Sequence, residues 1–176
     1  MNLILCGMMG AGKTTIGIKL AEKTGRRWYD TDGLIVDRHG KISDIFEYYG
    51  EEHFRNLETE IAKELAAQDG LVISTGGGLV LKRENDKILQ ENGKIIFLRA
   101  SLPTLAARLK VDGTRPLLQT STESIRERLE RLLAERTPVY EGVADYIVDV
   151  DGKSPEMIAD EIIKTVLIDE TRGTGA

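Results

Sequence analysis

The chain has 176 residues, of which 41% are hydrophobic and 30% are charged, and its net charge is −5 at pH 7. This length predicts a single domain over residues 1–176, and the acidic balance excludes the broadly basic surface with which most proteins bind nucleic acid. No apolar run reaches the roughly 18 residues of a membrane span, and no secretory signal is apparent. We therefore expect a cytoplasmic protein without nucleic-acid or membrane partners, and we expect it to be a monomer.

Short apolar strands and helical patterns alternate along the whole chain. The predicted strands are 2–6, 27–29, 71–74, 94–98 and 146–150. The predicted helices are 14–21, 43–49, 51–68, 101–111, 122–136 and 155–168. Ser43 is the predicted N-cap of the second helix. The alternation predicts an α/β fold with a mostly parallel sheet between two helix layers, whose ligands bind beyond the carboxyl ends of the strands.

Two segments are rich in residues that break regular structure. The stretch Asp112-Gly113-Thr114-Arg115-Pro116 lies between two predicted helices. It is either a mobile lid or a surface loop that carries one arginine. The polar, glycine-containing tail at 169–176 is predicted to be disordered.

The run from Gly7 to Thr14 matches the phosphate-binding pattern GxxxxGK[ST] between a predicted strand and a predicted helix. Its glycines let the backbone N–H groups turn toward phosphate oxygens, and the following helix adds the positive end of its dipole. Lys13 supplies a positive charge, and the Thr14 hydroxyl is suited to Mg²⁺. The alternative is a glycine-rich turn that caps a helix. The predicted nucleotide-binding residues are Gly10, Ala11, Gly12, Lys13, Thr14 and Thr15.

A phosphate-binding loop also occurs in switches and motors, so it does not define a reaction by itself. The chain has no NKxD run of the kind that selects guanine, and it is short for a motor or a transport ATPase. These observations favour a kinase of small molecules.

Polar and glycine residues follow two of the predicted strands. Asp30 and Asp32 alternate at the end of one strand, so one side chain could face Mg²⁺ and the other a substrate hydroxyl. The alternative is that these aspartates cap a helix. The glycines at 76–78 allow a ligand to approach the backbone closely, although a plain turn would also use glycine.

Two arginines are candidates for holding an anionic acceptor. Arg55 has Glu58 at i+3, and the two residues could simply pair on a solvated helix face. Arg136 ends a predicted helix just before Pro138, where it could merely satisfy the last carbonyl groups. Taken singly, each arginine has this structural explanation.

Taken together, the motifs resemble those of the shikimate kinase family, in the family's order and over nearly the whole chain. The matching motifs are Gly7 to Thr15, Asp30-Thr31-Asp32, Phe54-Arg55 with Glu58, Gly76-Gly77-Gly78, Arg115-Pro116-Leu117-Leu118, and Arg136 with Pro138 and Tyr140. The resemblance implies a three-layer P-loop fold of the nucleoside monophosphate kinase type, with a five-stranded parallel sheet and a mobile lid at about 112–121.

The resemblance also implies roles for individual residues, with ATP as co-substrate and Mg²⁺ as cofactor. Shikimate would contact Asp32, Arg55, Gly76, Gly77, Gly78 and Arg136. Thr14 and Asp30 would serve Mg²⁺. Arg115 would reach the phosphates from the lid, and the catalytic residues would be Lys13, Asp32 and Arg115. Lys153 and Arg108 are the candidates for contacting adenine.

The implied reaction is ATP-dependent phosphorylation of shikimate at its 3-hydroxyl, a step of aromatic amino acid biosynthesis. One alternative is a kinase of another hydroxy acid such as gluconate, whose family has a His-Pro pair soon after its aspartates; none follows Asp32. The other alternative is a nucleotide-binding module that has lost turnover, in which we would expect a broken set of acceptor residues.

Overall fold

A computed structural model describes residues 1–109 and 124–168. Within these residues, five strands form one sheet in which every pair of neighbours is parallel. The strands are β1 Asn2–Cys6, β2 Arg27–Asp30, β3 Leu71–Ser74, β4 Gly93–Arg99 and β5 Tyr146–Asp149. Their order across the sheet is β2-β3-β1-β4-β5. The predicted class of fold, with its five parallel strands, is confirmed.

Helices connect successive strands in the described part of the chain. They are α1 Lys13–Thr24, α2 Thr31–His39, α3 Ile42–Ala66, α4 Arg83–Gln90, α5 Leu102–Leu109, α6 Ile125–Val143 and α7 Pro155–Ile162. A short 3₁₀-helix covers Leu79–Leu81, and a π-helical turn, Ile163–Leu167, continues α7. Helix α1 packs on α7 and β3, whereas α4 packs on α3 and β4.

The core is centred on the middle strands of the sheet. Every residue of β1 and of β3 is buried, which explains why both strands read as continuous apolar runs rather than as alternating patterns. Cys6 is also buried at the end of β1, and this burial raises the pKa of its thiol to about 12. Because β2, β3 and β1 are neighbours in this parallel sheet, their carboxyl ends lie side by side, and the loops that follow them are brought together.

The helix that follows β2 was not predicted and changes the interpretation of the two aspartates. Asp30 is the last residue of β2 and caps α2, since its side chain accepts hydrogen bonds from the backbone N–H groups of Asp32 at 3.0 Å and Gly33 at 3.3 Å. Asp32 lies in the first turn of α2. The prediction that Asp30 and Asp32 alternate along one strand is therefore wrong for Asp32, because the strand ends at Asp30 and α2 begins at the next residue.

The predicted N-cap at Ser43 is wrong. Lys41 occupies the cap position with an extended backbone, and its carbonyl accepts the backbone N–H groups of Asp44 and Ile45. The helix therefore begins at Ile42, which packs against the core. The predicted break between 49 and 51 corresponds to a kink inside α3 at Gly50, whose φ is 86°.

Helix α6 runs past the proline that was predicted to end it. It begins after Ser124, whose side chain forms a capping box with Glu127, and it includes Pro138. Proline removes one backbone hydrogen bond, but fully buried Tyr140 anchors the turn beyond it to the core. Arg136 therefore lies within a helix and does not cap its end. Helix α4 was also not predicted.

Some predictions concern residues that the structure does not describe. The predicted lid at about 112–121, which includes Arg115, and the predicted disordered tail at 169–176 both lie outside the described residues. In the part of the chain that is described, no helix combines the length and the apolar character that a membrane crossing requires.

Candidate active site

The phosphate-binding loop joins β1 to α1 as the sequence predicted. Gly10 and Gly12 have φ values of 83° and 94°, a region that side-chain-bearing residues rarely adopt, and Gly12 precedes the first residue of α1. The ammonium group of Lys13 donates hydrogen bonds to the carbonyls of Gly7 at 2.7 Å and Met8 at 3.0 Å. The loop thus keeps a positive charge at the start of a helix, where anions bind.

Thr14 and Asp30 are brought together beside this loop. The Thr14 hydroxyl, in the first turn of α1, donates at 3.3 Å to the carboxylate of Asp30, the last residue of β2. The alternative that Asp30 caps a helix is thus confirmed, and the same carboxylate also accepts a hydrogen bond from Thr14. No group of three or more His, Cys, Asp or Glu side chains among residues 1–109 and 124–168 is suited to hold a metal ion. Any ion here would need further ligands from a bound molecule or from water.

A cleft of about 740 Å³ opens next to Lys13 and Thr14. Its polar wall contains two acids and two arginines, namely Asp32, Glu58, Arg55 and Arg136. These side chains come from α2, α3 and α6, and all four were quoted from the sequence, three of them as predicted substrate contacts. The tertiary structure therefore brings together the described acceptor residues that the sequence predicted.

The glycines at 76–78 form the floor of this cleft and leave room for those side chains. A Cβ atom at Gly76 would overlap the Asp32 carboxylate, and one at Gly78 would overlap the Arg55 guanidinium. A Cβ atom at Gly77 would lie 3.2 Å from the Arg136 guanidinium. The run is therefore not a plain turn, because each glycine accommodates one charged side chain of the cleft.

Apolar side chains that the sequence did not identify as a group also line the cleft, and we call them its apolar wall. It consists of Met9, Val36, Ile42, Phe46 and Phe54. The rings of Phe46 and Phe54 lie 4.9 Å apart on the two sides of the kink in α3. The sequence identified Phe54 only as part of a motif, and the face that lines the cleft could be recognised only once the kink was known. The cleft thus combines a charged wall with one that suits a hydrocarbon ring.

Glu58 is 1% exposed, and its carboxylate accepts a hydrogen bond from Arg55 at 2.7 Å. The two residues do form the i+3 pair that the sequence suggested, but not on a solvated face. Burial raises the pKa of the Glu58 carboxyl to about 7, although the positive charge of Arg55 acts in the opposite direction. Glu58 can therefore change its charge close to neutral pH, inside the cleft.

This pKa predicts a dependence of stability on pH. The ordinary pKa of 4.5 rises to about 7 in the folded chain, so unfolding releases the Glu58 proton within this window. The contribution of Glu58 to the free energy of unfolding should therefore fall as the pH rises from about 4.5 to 7. We expect Glu58→Gln to gain about 2–3 kcal/mol relative to the unmodified chain between pH 4.5 and 8, measured by urea unfolding. A constant difference across this range would contradict the prediction.

Tyr140 forms a hydrogen bond with the middle glycine of the cleft floor. Its hydroxyl donates to the Gly77 carbonyl at 2.6 Å, and its ring packs 5.1 Å from that of Phe97. Burial raises the pKa of this hydroxyl to about 12, so it remains a donor at neutral pH. Arg136 lies one turn earlier on the same helix. In the sequence Tyr140 is only part of a motif, because its contact with Gly77 depends on the packing of α6.

The two candidates for adenine contact differ in their surroundings. The Arg108 guanidinium donates to the Gly10 carbonyl of the phosphate-binding loop at 2.9 Å. The Lys153 ammonium is paired with Glu161 at 2.6 Å. Arg108 therefore lies against the phosphate-binding loop, whereas Lys153 is paired with a residue of α7.

A phosphate-binding loop that faces an acceptor cleft of this kind, on a five-stranded parallel sheet, defines a P-loop kinase of a small molecule. A family model described as shikimate kinase matches residues 9–167. The chain belongs to the shikimate kinase family. As a kinase of this family, it uses ATP as co-substrate.

Individual relatives agree with this assignment. The chain is 42% identical to a shikimate kinase of Chromobacterium violaceum over 94% of this chain and 90% of that one. It is 44% identical to one of Thermodesulfovibrio yellowstonii over 93% of each. The structure of the Acinetobacter baumannii shikimate kinase in complex with shikimate is similar with a TM-score of 0.89 and 36% identity, covering 96% of this chain and 94% of that one. A gluconokinase from Sinorhizobium meliloti, with a TM-score of 0.63 and 18% identity, shares the fold alone.

Proposed function

We propose that this chain transfers the γ-phosphoryl group of ATP to the 3-hydroxyl of shikimate, forming shikimate 3-phosphate and ADP, in the biosynthesis of aromatic amino acids. The observation that carries this proposal is the acceptor cleft, where Asp32, Arg55 and Arg136 surround the glycine floor at 76–78 beside Lys13. Shikimate has one carboxylate and several hydroxyls on a hydrocarbon ring, and the cleft offers a partner for each of these groups.

The charged wall would bind and orient the acceptor. Arg55 and Arg136 present guanidinium groups, which bind a carboxylate through paired, charge-assisted hydrogen bonds. Asp32 would accept a hydrogen bond from a ring hydroxyl and would help to take its proton as the oxygen attacks phosphorus. The apolar wall, including Phe46 and Phe54, would pack against the ring.

The phosphate-binding loop would orient the donor. Its backbone N–H groups, the N-terminus of α1 and the Lys13 ammonium would bind the phosphates of ATP. Phosphoryl transfer depends mainly on the alignment of the two oxygens and on neutralisation of charge, so Lys13 acts where the negative charge lies. The residues Gly10, Ala11, Gly12, Thr14 and Thr15 complete the proposed nucleotide site.

Thr14 and Asp30 fit a magnesium site that is completed by the nucleotide. Mg²⁺ prefers oxygen ligands and commonly binds few protein groups together with water and phosphate. The Thr14 hydroxyl and the Asp30 carboxylate, 3.3 Å apart, supply two such oxygens beside the loop. When bound, the ion would neutralise charge on the phosphates.

Other parts of the proposal rest on the sequence. Arg115, outside the described residues, would contact the transferring phosphate from the lid. Arg108 is the better candidate for contacting adenine, because it already lies against the loop. The monomeric state and the cytoplasmic location also remain predictions.

A coupled assay of ADP formation with a panel of acceptors tests the proposed function. We expect turnover with shikimate and MgATP, and no turnover with gluconate or with water as the acceptor. Turnover with gluconate alone would assign the site to a different hydroxy acid. Binding of ATP by calorimetry without ADP formation at saturating shikimate would instead indicate a nucleotide-binding module.

A further inference from the structure

A chain of hydrogen bonds links the edge of the sheet to the residue that carries the loop's positive charge. The indole N–H of Trp28 in β2 donates to the Ser74 hydroxyl at 3.0 Å. The Ser74 hydroxyl, at the end of β3, donates to the backbone carbonyl of Lys13 at 2.7 Å. These two hydrogen bonds thus connect the neighbouring strands β2 and β3 to the first residue of α1.

The chemistry of the three groups sets the direction of this chain. An indole nitrogen can only donate a hydrogen bond, and a carbonyl can only accept one. The Ser74 hydroxyl must therefore accept from Trp28 and direct its single proton toward Lys13. Because Ser74 is 2% exposed, bulk water does not compete for these bonds. Trp28 consequently orients the hydroxyl that holds Lys13.

The residue at position 17 is small enough for this arrangement. A Cβ atom at Gly17 would lie 2.5 Å from the Ser74 hydroxyl oxygen and 2.6 Å from the Trp28 indole nitrogen. Any larger residue would push α1 away from β2 and β3. The close approach of α1 to the sheet and the hydrogen-bond chain therefore depend on each other.

We propose that Ser74, oriented by Trp28, is a positioning residue for phosphoryl transfer, a role that rests on the proposed function. Ser74 lies two residues before the glycine floor, so it fixes the start of α1 relative to the acceptor cleft. The same contact places Lys13 and its neighbour Thr14 opposite Asp30, the last residue of β2. Ser74 borders the cleft but is only 2% exposed, and its proton is directed to the Lys13 carbonyl, so loss of the contact would act by shifting the donor relative to the acceptor.

Trp28 is the single tryptophan of the chain, so its fluorescence reports on this contact directly. Binding of ADP to the loop should perturb the Lys13 carbonyl and, through Ser74, the indole. We expect ADP with Mg²⁺ to change the Trp28 emission of the unmodified chain. In Ser74→Ala this change should be lost, although ADP should still bind when measured by calorimetry.

Kinetics of the same variant provide the second readout. We expect Ser74→Ala to lower kcat about tenfold, the scale of one buried hydrogen bond, with less than a twofold change in the KM for shikimate. Thr24→Val is the matched control, because the Thr24 hydroxyl also donates to a backbone carbonyl of α1, that of Leu20 at 2.7 Å, at the other end of the helix. We expect this variant to keep both kcat and the Trp28 response.

Two results would overturn the proposal, and a third would overturn the proposed function. Unchanged kcat or a retained Trp28 response in Ser74→Ala would overturn the proposal, as would an equal loss of kcat in Thr24→Val, which would indicate a general effect on stability. Absence of turnover with shikimate in the unmodified chain would overturn the proposed function instead, and the ADP-dependent emission of Trp28 would still show whether Ser74 couples it to the loop.

Discussion

Replacement of Asp32 by asparagine is expected to lower kcat about 10³-fold while the affinity for ATP stays unchanged. Asp32 lies in the first turn of α2, and its carboxylate lies against Gly76 in the cleft. Asparagine has nearly the same size, so the glycine floor still accommodates it. It cannot, however, take a proton from the attacking hydroxyl, and it places an amide where a carboxylate would accept a hydrogen bond.

The Asp32→Asn variant should be measured by steady-state kinetics and by calorimetric titration with ATP. Asp37→Asn is the matched control, because Asp37 lies on the exposed side of the same helix. We expect the control to behave as the unmodified chain does. Undiminished turnover in Asp32→Asn would remove Asp32 from the catalytic residues, and a parallel loss of ATP affinity would indicate that α2 supports the loop instead.

Replacement of Gly78 by alanine is expected to raise the KM for shikimate about 100-fold. The new methyl group would occupy space that the Arg55 guanidinium now fills. Arg55 is also paired with buried Glu58, so it cannot move without disturbing that pair. A hydrogen bond to a charged group contributes about 1.5–3 kcal/mol, and the upper value corresponds to the expected change in KM. The KM for ATP should change little, because Arg55 does not line the loop.

Two other glycines provide the comparison for Gly78→Ala. Gly142→Ala is the control, since a Cβ atom at Gly142 in α6 would meet no other atom within 4 Å. Gly77→Ala should be intermediate, because its Cβ atom would lie 3.2 Å from the Arg136 guanidinium. If all three variants had the KM of the unmodified chain, Arg55 and Arg136 would not bind the acceptor from their present positions.

The boundaries of several helices could not be read correctly from local patterns. A proline within a helical pattern usually predicts the end of the helix, yet α6 continues past Pro138 because Tyr140 is buried against Phe97. Ser43 is a good N-cap residue, yet the helix begins earlier because Ile42 packs against the core. In both places a tertiary contact of an apolar side chain outweighs the local preference.

The acceptor site, like the helix boundaries, depends on tertiary contacts that local sequence patterns do not report. The sequence suggested Asp32, Arg55 and Arg136 through motif resemblance, but each residue alone had a plain structural explanation. Their convergence over the glycine floor depends on how α2, α3 and α6 pack around the sheet. The burial of Glu58, and with it a pKa near 7, could not be predicted from its i+3 spacing to Arg55, because spacing does not report on solvent.

The sequence by itself determined the phosphate-binding loop and the parallel five-stranded sheet. The parts of the loop are consecutive in the chain, and the apolar runs of the strands reflect burial that each strand carries along its own length. Only the tertiary structure decided the contents of the acceptor cleft and the contact of Trp28 and Ser74 with Lys13. These contacts join residues distant in sequence, and their geometry is set by the packing of helices on the sheet, which no local pattern encodes.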